Sequence, residues 1–189
     1  MRALPFLAMA LLAGCAGGPV PPDWQLNAKS GLDSYQQKFL RGDTRAAEME
    51  FERAKSELRS TGSPALLARA ELLRCAVRAA SLEFDNCPAF EKLRVDAGAE
   101  ELAYYEFLSG RAERAALDEP LSRLVYAGVQ FKSGKITPES ISASIDIASA
   151  QGWRRPLLAW LGVQEKHAEA AGDRVAADRI KRRINLILQ

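Results

Sequence analysis

The sequence has 189 residues, with 26 Lys and Arg against 24 Asp and Glu, so its formal net charge at pH 7 is +2. A nucleic-acid-binding domain usually carries a strongly basic face, and a nearly balanced charge gives no indication of one. The length suffices for a single domain with a substantial hydrophobic core. Beyond the N-terminal residues, no apolar stretch approaches the ~20 residues that a transmembrane helix needs.

The chain begins with a short apolar run that leads to a cysteine. Arg2 supplies a positive charge, and Leu4 to Leu12 form an apolar run. Its length of about nine residues is typical of a signal-peptide core and too short to span a bilayer. The sequence Leu12-Ala13-Gly14-Cys15 follows. This order of charge, apolar run and Leu-Ala-Gly-Cys resembles the lipobox of bacterial lipoproteins.

The resemblance implies that residues 1–14 are removed as a signal peptide and that Cys15 carries the lipid that holds the protein on a membrane. Two or more acyl chains anchor a protein stably, whereas a single chain holds it only marginally. In enterobacterial lipoproteins an Asp after the cysteine retains the protein at the inner membrane, so Ala16 implies the outer membrane, facing the periplasm. An ordinary secretory leader cleaved after Ala13 or Ala16, or a buried N-terminal helix, is the alternative.

A Pro- and Gly-rich segment separates the cysteine from the predicted domain. Pro19, Pro21 and Pro22 favour an extended, semi-rigid spacer that would lift the folded part away from lipid headgroups. We therefore divide the sequence into a signal peptide (1–14), a lipidated cysteine with its tether (15–26) and one all-α domain (27–189).

The apolar residues of the predicted domain recur with helical spacing, and only residues 81–85 alternate as a strand would. Proline after a capping residue opens several helices, as at Ser63-Pro64, and glycine ends others, as at Gly42. The pattern predicts nine or ten helices and no sheet. The predicted helices begin near residues 28, 44, 64, 88, 99, 120, 138, 156 and 173, with a further short turn over 111–117.

Short loops predict that consecutive helices form antiparallel hairpins. Tetratricopeptide repeats place a glycine at the turn, an alanine five residues on, a large apolar residue four later and an alanine three later. Gly42, Ala47, Phe51 and Ala54 follow that order, so this part of the chain resembles such a repeat. The resemblance implies an array of stacked helical hairpins, and a compact non-repeat bundle is the alternative. Two weaker matches lie at Gly172-Ala177-Ile184 and at Gly110-Ala115.

Cys75 and Cys87 remain once Cys15 is assigned to the lipid. An even pair of cysteines in an oxidising compartment favours a disulfide, and two buried free thiols are the alternative. A third helix that ran unbroken to Phe84 would carry the chain about 13 Å from Cys75, beyond the ~7 Å between α-carbons that a disulfide allows. The disulfide therefore requires the third helix to end near Ala80.

The sequence contains no motif for a catalytic nucleophile, a metal centre or a phosphate-binding loop. His167 is its single histidine, and no second histidine accompanies it to form a zinc site. We therefore predict a protein without catalytic residues, metal or cofactor. Aromatic and arginine side chains are frequent at binding hot spots, so Trp153, Arg154 and Arg155 are the candidate partner-binding residues, although ordinary core and helix-end roles explain them better.

These observations predict a membrane-anchored envelope lipoprotein that acts as a non-catalytic protein-interaction scaffold. Its partners would be the membrane, through the lipid on Cys15, and an envelope protein or peptide that the sequence does not identify. The alternatives are a cell-wall-modifying enzyme and a carrier of a small ligand or lipid.

Overall fold

The computed structural model describes residues 20–114 and 118–189, and all regular secondary structure within these ranges is helical. The predicted all-α class is confirmed. No helix in these ranges is both long and apolar enough to cross a membrane. The α-helices of the described residues are α1 (Asp23–Arg41), α2 (Thr44–Arg59), α3 (Pro64–Ala80), α4 (Pro88–Glu91), α5 (Ala99–Leu108), α6 (Pro120–Lys132), α7 (Pro138–Ala150), α8 (Arg154–Ala170) and α9 (Arg174–Leu188).

Local sequence signals account for most of the helix starts. Proline occupies the first position of α3, α6 and α7, where its missing N–H would have had no partner within the helix. At the start of α7 the backbone N–H of Ser140 donates to the Thr137 hydroxyl over 3.2 Å. At the start of α2 the N–H of Ala46 donates to the Asp43 carboxylate over 3.1 Å.

Two segments differ from the sequence-based expectation. The first helix begins at Asp23, inside the segment predicted as tether, because Pro22 serves as an extended N-cap and Trp24 already packs against the core. The predicted fourth helix is a single turn, Pro88–Glu91, followed by a short 3-10 helix over Arg94–Asp96. The turn predicted over 111–117 falls partly outside the described residues, and 111–114 are not helical.

The α1–α2 hairpin uses its repeat-like residues as the motif implies. Gly42 ends α1 with φ +97°, a left-handed conformation that glycine adopts without steric cost. Ala47, Phe51 and Ala54 of α2 are fully buried. A Cβ on Gly31 of α1 would lie 2.9 Å from the Ala54 Cβ, so small residues let the two helices approach closely.

The contacts between helices do not follow a simple linear array. In repeat arrays each unit touches only its neighbours in the chain. Here α3 packs against α1, α2, α5 and α6, and α8 packs against α1 as well as against α7 and α9. Helices that are not neighbours in the chain therefore pack against each other, as in the compact non-repeat bundle that the sequence analysis gave as the alternative. A tetratricopeptide-like array is not confirmed.

The chain reverses direction directly after α3. This helix ends at Ala80, and Leu82, Asn86 and Cys87 all have positive φ, between 53° and 60°. The reversal brings the α-carbons of Cys75 and Cys87 to 5.7 Å from each other, and the two cysteines form a disulfide. The predicted disulfide and the early helix end that it requires are both confirmed.

Two other helices pack against the last turn of α3. The indole N–H of Trp160 on α8 donates to the Ala80 carbonyl over 3.2 Å, which satisfies one of the carbonyls left free at the helix end. Gly128 of α6 lies so close to the Ala79 carbonyl that an added Cβ would overlap it. The end of α3 is thus enclosed by α6 and α8.

Gly128→Ala should destabilise the protein by about 1–3 kcal/mol, the usual cost of overpacking a core, because the methyl group meets backbone atoms that cannot rotate away. Gly162→Ala is the matched control, since Gly162 is also helical and a Cβ there would meet nothing within 4 Å. We expect the control to raise stability by up to ~1 kcal/mol through helix propensity. Urea unfolding followed by circular dichroism measures both; equal stabilisation by the two substitutions would contradict the close approach.

Candidate partner-binding groove

The three candidate residues at the start of α8 have different environments. Trp153 is only 4% exposed and belongs to the hydrophobic core, so it offers no surface to a partner. Arg154 is exposed, and Arg155 is half-buried. The three therefore do not form a common binding face, which corrects the prediction for Trp153, while partner binding by Arg154 and Arg155 stays a prediction.

Arg155 joins three segments of the chain. Its Nε donates to the Phe39 carbonyl over 2.8 Å, its Nη1 bonds to the Glu83 carboxylate over 2.8 Å, and its Nη2 donates to the Thr44 hydroxyl. Its guanidinium also lies 4.1 Å from the centre of the Phe39 ring. Arg155 therefore holds α8 against the α1–α2 turn and against the loop that follows α3.

A groove of about 420 Å³ lies between α3, α5 and α6. Its floor is apolar, and its rim combines tyrosines with charged side chains. The floor is formed by Leu72, Leu73, Ala76, Phe107 and Val125. The rim is formed by Arg69, Glu100, Glu101, Tyr104, Arg114, Ser122 and Tyr126.

Helical spacing places these residues on one surface. Leu72, Leu73 and Ala76 follow each other on the α5- and α6-facing side of α3. Ser122, Val125 and Tyr126 are three and four residues apart on α6, which puts them on the same face. Both α5 and α6 pack on α3 and have little contact with each other, so a groove remains between them.

One of the two carboxylates at the groove rim, Glu101, is held in an ion pair. Arg69 Nε donates to Glu101 Oε1 over 2.7 Å, and Nη2 lies 2.5 Å from the same oxygen. The hydrogen bond that Arg69 donates lowers the pKa of Glu101 below its usual value. A general acid needs a raised carboxyl pKa, so the shift at Glu101 has the wrong direction for that role.

One of the two tyrosines at the rim, Tyr104, faces an arginine. The guanidinium carbon of Arg114 lies 5.2 Å from the centre of the Tyr104 ring, a cation–π arrangement. Burial raises the pKa of the Tyr104 phenol above its ordinary value, so the hydroxyl stays protonated at neutral pH. The pair therefore offers a flat aromatic face and a hydrogen-bond donor.

A second group of reactive side chains lies at the disulfide. Atoms of Cys75, Asp85 and Cys87 that could bind a metal lie within 4.8 Å of one another. The two cysteine sulfurs are bonded to each other, so neither is a thiolate, and the group retains one carboxylate. This cluster therefore has the chemistry of a structural crosslink.

No family model, curated protein or solved structure matches this chain. The role of the groove is therefore inferred from its own geometry and side chains. Sequence reasoning missed the groove because its residues come from three separate helices and from the segment between α5 and α6, and only packing on α3 brings them together. The sequence of α5 contained one indication of the groove. This helix carries aromatic or aliphatic residues at 102, 104, 105, 107 and 108, which is more than one core-facing side of a helix accommodates.

Arg155→Gln should lower stability by about 2 kcal/mol or more, because hydrogen bonds that involve charged groups contribute ~1.5–3 kcal/mol each. Arg154→Gln is the matched control on the neighbouring, exposed residue, and we expect it to change stability by less than about 0.5 kcal/mol. Urea unfolding of both variants measures the difference. Two equally small effects would show that Arg155 does not join these segments.

Proposed function

We propose that the protein is a lipid-anchored component of the bacterial cell envelope that binds a protein partner through the α3–α5–α6 groove and catalyses no reaction. The observation that carries this proposal is the composition of the groove. An apolar floor bordered by tyrosine and arginine is typical of protein-binding hot spots.

The shape of the groove suits a partner that inserts a few apolar side chains. Its volume of about 420 Å³ lies within the ~300–1,000 Å³ of ordinary binding pockets. Apolar anchors from an amphipathic helix, or from an extended peptide, would cover the floor while polar groups of the partner meet the rim. Tyr104 and Arg114 would then provide contacts that lose little side-chain entropy, because they already pack on each other.

The two alternatives have less support. A cell-wall-modifying enzyme that used Glu101 as its general acid would need a raised carboxyl pKa, and the hydrogen bond from Arg69 lowers the pKa of Glu101 instead. A lipid carrier would need to shield a long acyl chain from water. The groove lies open along one side, so a chain bound there would leave part of its length exposed.

The anchor is tested by metabolic labelling with an alkyne analogue of palmitate. We expect the label on the wild-type protein and none on Cys15→Ala, because the lipobox resemblance makes this thiol the attachment point. The double variant Cys75→Ser/Cys87→Ser is the control, and it should keep the label. An unlabelled wild-type protein, or a labelled Cys15→Ala variant, would contradict the anchor.

The groove is tested by filling it. Ser122 is half-buried on the groove side of α6, so Ser122→Trp should block the floor without removing any core side chain. We expect capture of the partner from cross-linked envelopes, quantified by mass spectrometry, to fall about tenfold or more, equivalent to ~1.4 kcal/mol or more of lost binding energy.

Ser34→Trp is the matched control, because Ser34 is also half-buried on a helix but lies on the outer side of α1, away from the groove. We expect this variant to capture the partner as the wild type does. Both variants should keep the wild-type unfolding midpoint. Equal capture by the wild type and both variants would rule out the groove as the binding surface.

A further inference from the structure

The C-terminal helix α9 is basic and is covered on one side only. It packs on α8, and its core-facing residues are Ala177, Ile180, Ile184 and Ile187. Within α9 there is one acidic residue, Asp178, against five basic residues. The basic residues are Arg174, Arg179, Lys181, Arg182 and Arg183.

The side of α9 that faces away from α8 combines apolar and basic side chains. Val175, Arg179, Arg182 and Leu186 follow one another at intervals of four, three and four residues, which places them on one face of the helix. We call these four residues the outer stripe. Val175 is 70% exposed and Leu186 is 73% exposed, and both arginines are exposed as well. Leu188 at the end of the helix is a further exposed apolar residue.

Among the residues that the structure describes, the arginines of α9 have no carboxylate partner within ion-pair distance. Lys181 pairs with Glu169 at 3.0 Å and with Glu165 at 3.6 Å. Among the described residues, Arg174, Arg179, Arg182 and Arg183 form no ion pair. The residues outside the description contain no Asp or Glu, so they supply no partner either. The positive charge of α9 is therefore available to an external anionic group.

We propose that the outer stripe of α9 binds the surface of a membrane that contains anionic lipids. Basic residues beside exposed aliphatic ones are the features of helices that lie in the interface of a bilayer. Each arginine near an anionic surface is attracted to it, and Val175 and Leu186 would enter the headgroup boundary. The proposal is independent of the groove, which lies on α3, α5 and α6.

The same charges argue against a second copy of the chain as the occupant. If two outer stripes faced each other in a symmetric dimer, four arginines would be brought together with only the two Asp178 carboxylates nearby. Like charges across an interface are unfavourable. An anionic lipid surface complements the arginines and accepts the aliphatic side chains at the same time.

The test uses the unlipidated mature chain, residues 15–189 with Cys15→Ser, whose described core lies entirely within that range. Its binding is measured by co-sedimentation with vesicles of phosphatidylcholine that contain 30% phosphatidylglycerol, and with vesicles of phosphatidylcholine alone. We expect binding to the anionic vesicles, much weaker binding to the neutral ones, and loss of binding at high salt because surface charges are then screened.

The double variant Arg179→Glu/Arg182→Glu should weaken binding to anionic vesicles about tenfold or more. Val175→Ser/Leu186→Ser, which leaves the charge unchanged, should also weaken it. The matched control is Arg45→Glu/Arg123→Glu, which changes the net charge equally at two exposed arginines of α2 and α6 that form no ion pair among the described residues. We expect the control to bind nearly as the wild type does.

Three outcomes would overturn the proposal. The first is a wild-type chain that does not bind anionic vesicles. The second is an equal loss in the α9 variant and in the control, which would mean that overall charge and not the outer stripe attracts the chain. The third is a dimer in analytical ultracentrifugation that Val175→Ser/Leu186→Ser dissociates, which would assign the stripe to a second copy.

Discussion

The carbonyl end of α3 is the constraint on which the rest of the molecule depends. Because this helix ends at Ala80, its last carbonyls can accept the Trp160 indole of α8, and Gly128 of α6 can approach Ala79. The same early end lets the chain reverse, so that Cys87 reaches Cys75 and Glu83 reaches Arg155 on α8. Helices far apart in the sequence thus meet at one place.

The candidate site follows from this central role of α3. Because α5 and α6 both pack on α3 and barely touch each other, the apolar side chains between them are left uncovered as a groove. Arg69 forms an ion pair with Glu101 at the groove rim and lowers the pKa of this carboxyl, which is the wrong direction for a general acid, so the site combines an apolar surface with a fixed ion pair. We propose above that Cys15 tethers the domain to a membrane, and on a tethered domain such a surface would suit recruitment of an envelope protein.

Much of the fold could be predicted from the sequence because it depends on neighbouring residues. The candidate sites were harder to predict because they depend on contacts between distant parts of the chain. Helix boundaries are set by residues next to them in the sequence: prolines and capping side chains mark the starts, and Gly42 marks the end of α1. The sequence alone therefore indicates these boundaries. The disulfide was predicted from the even pair of cysteines in an expected oxidising compartment, and the distance limit between α-carbons added the condition that the third helix ends early. The role of Arg155 could not be predicted, because it depends on contacts with distant residues: Arg155 bonds to Phe39, 116 residues earlier. The groove likewise exists only after three helices have packed.

The claim that the α3–α5–α6 groove is the partner-binding surface is tested most directly by photo-cross-linking in cells. A benzophenone amino acid replaces Tyr126, a half-buried aromatic residue at the groove rim, and in a second strain it replaces Met49, which is exposed on α2. The account predicts a discrete cross-linked species from position 126 on illumination and none from position 49. A cross-link from position 49 together with none from position 126 would contradict it.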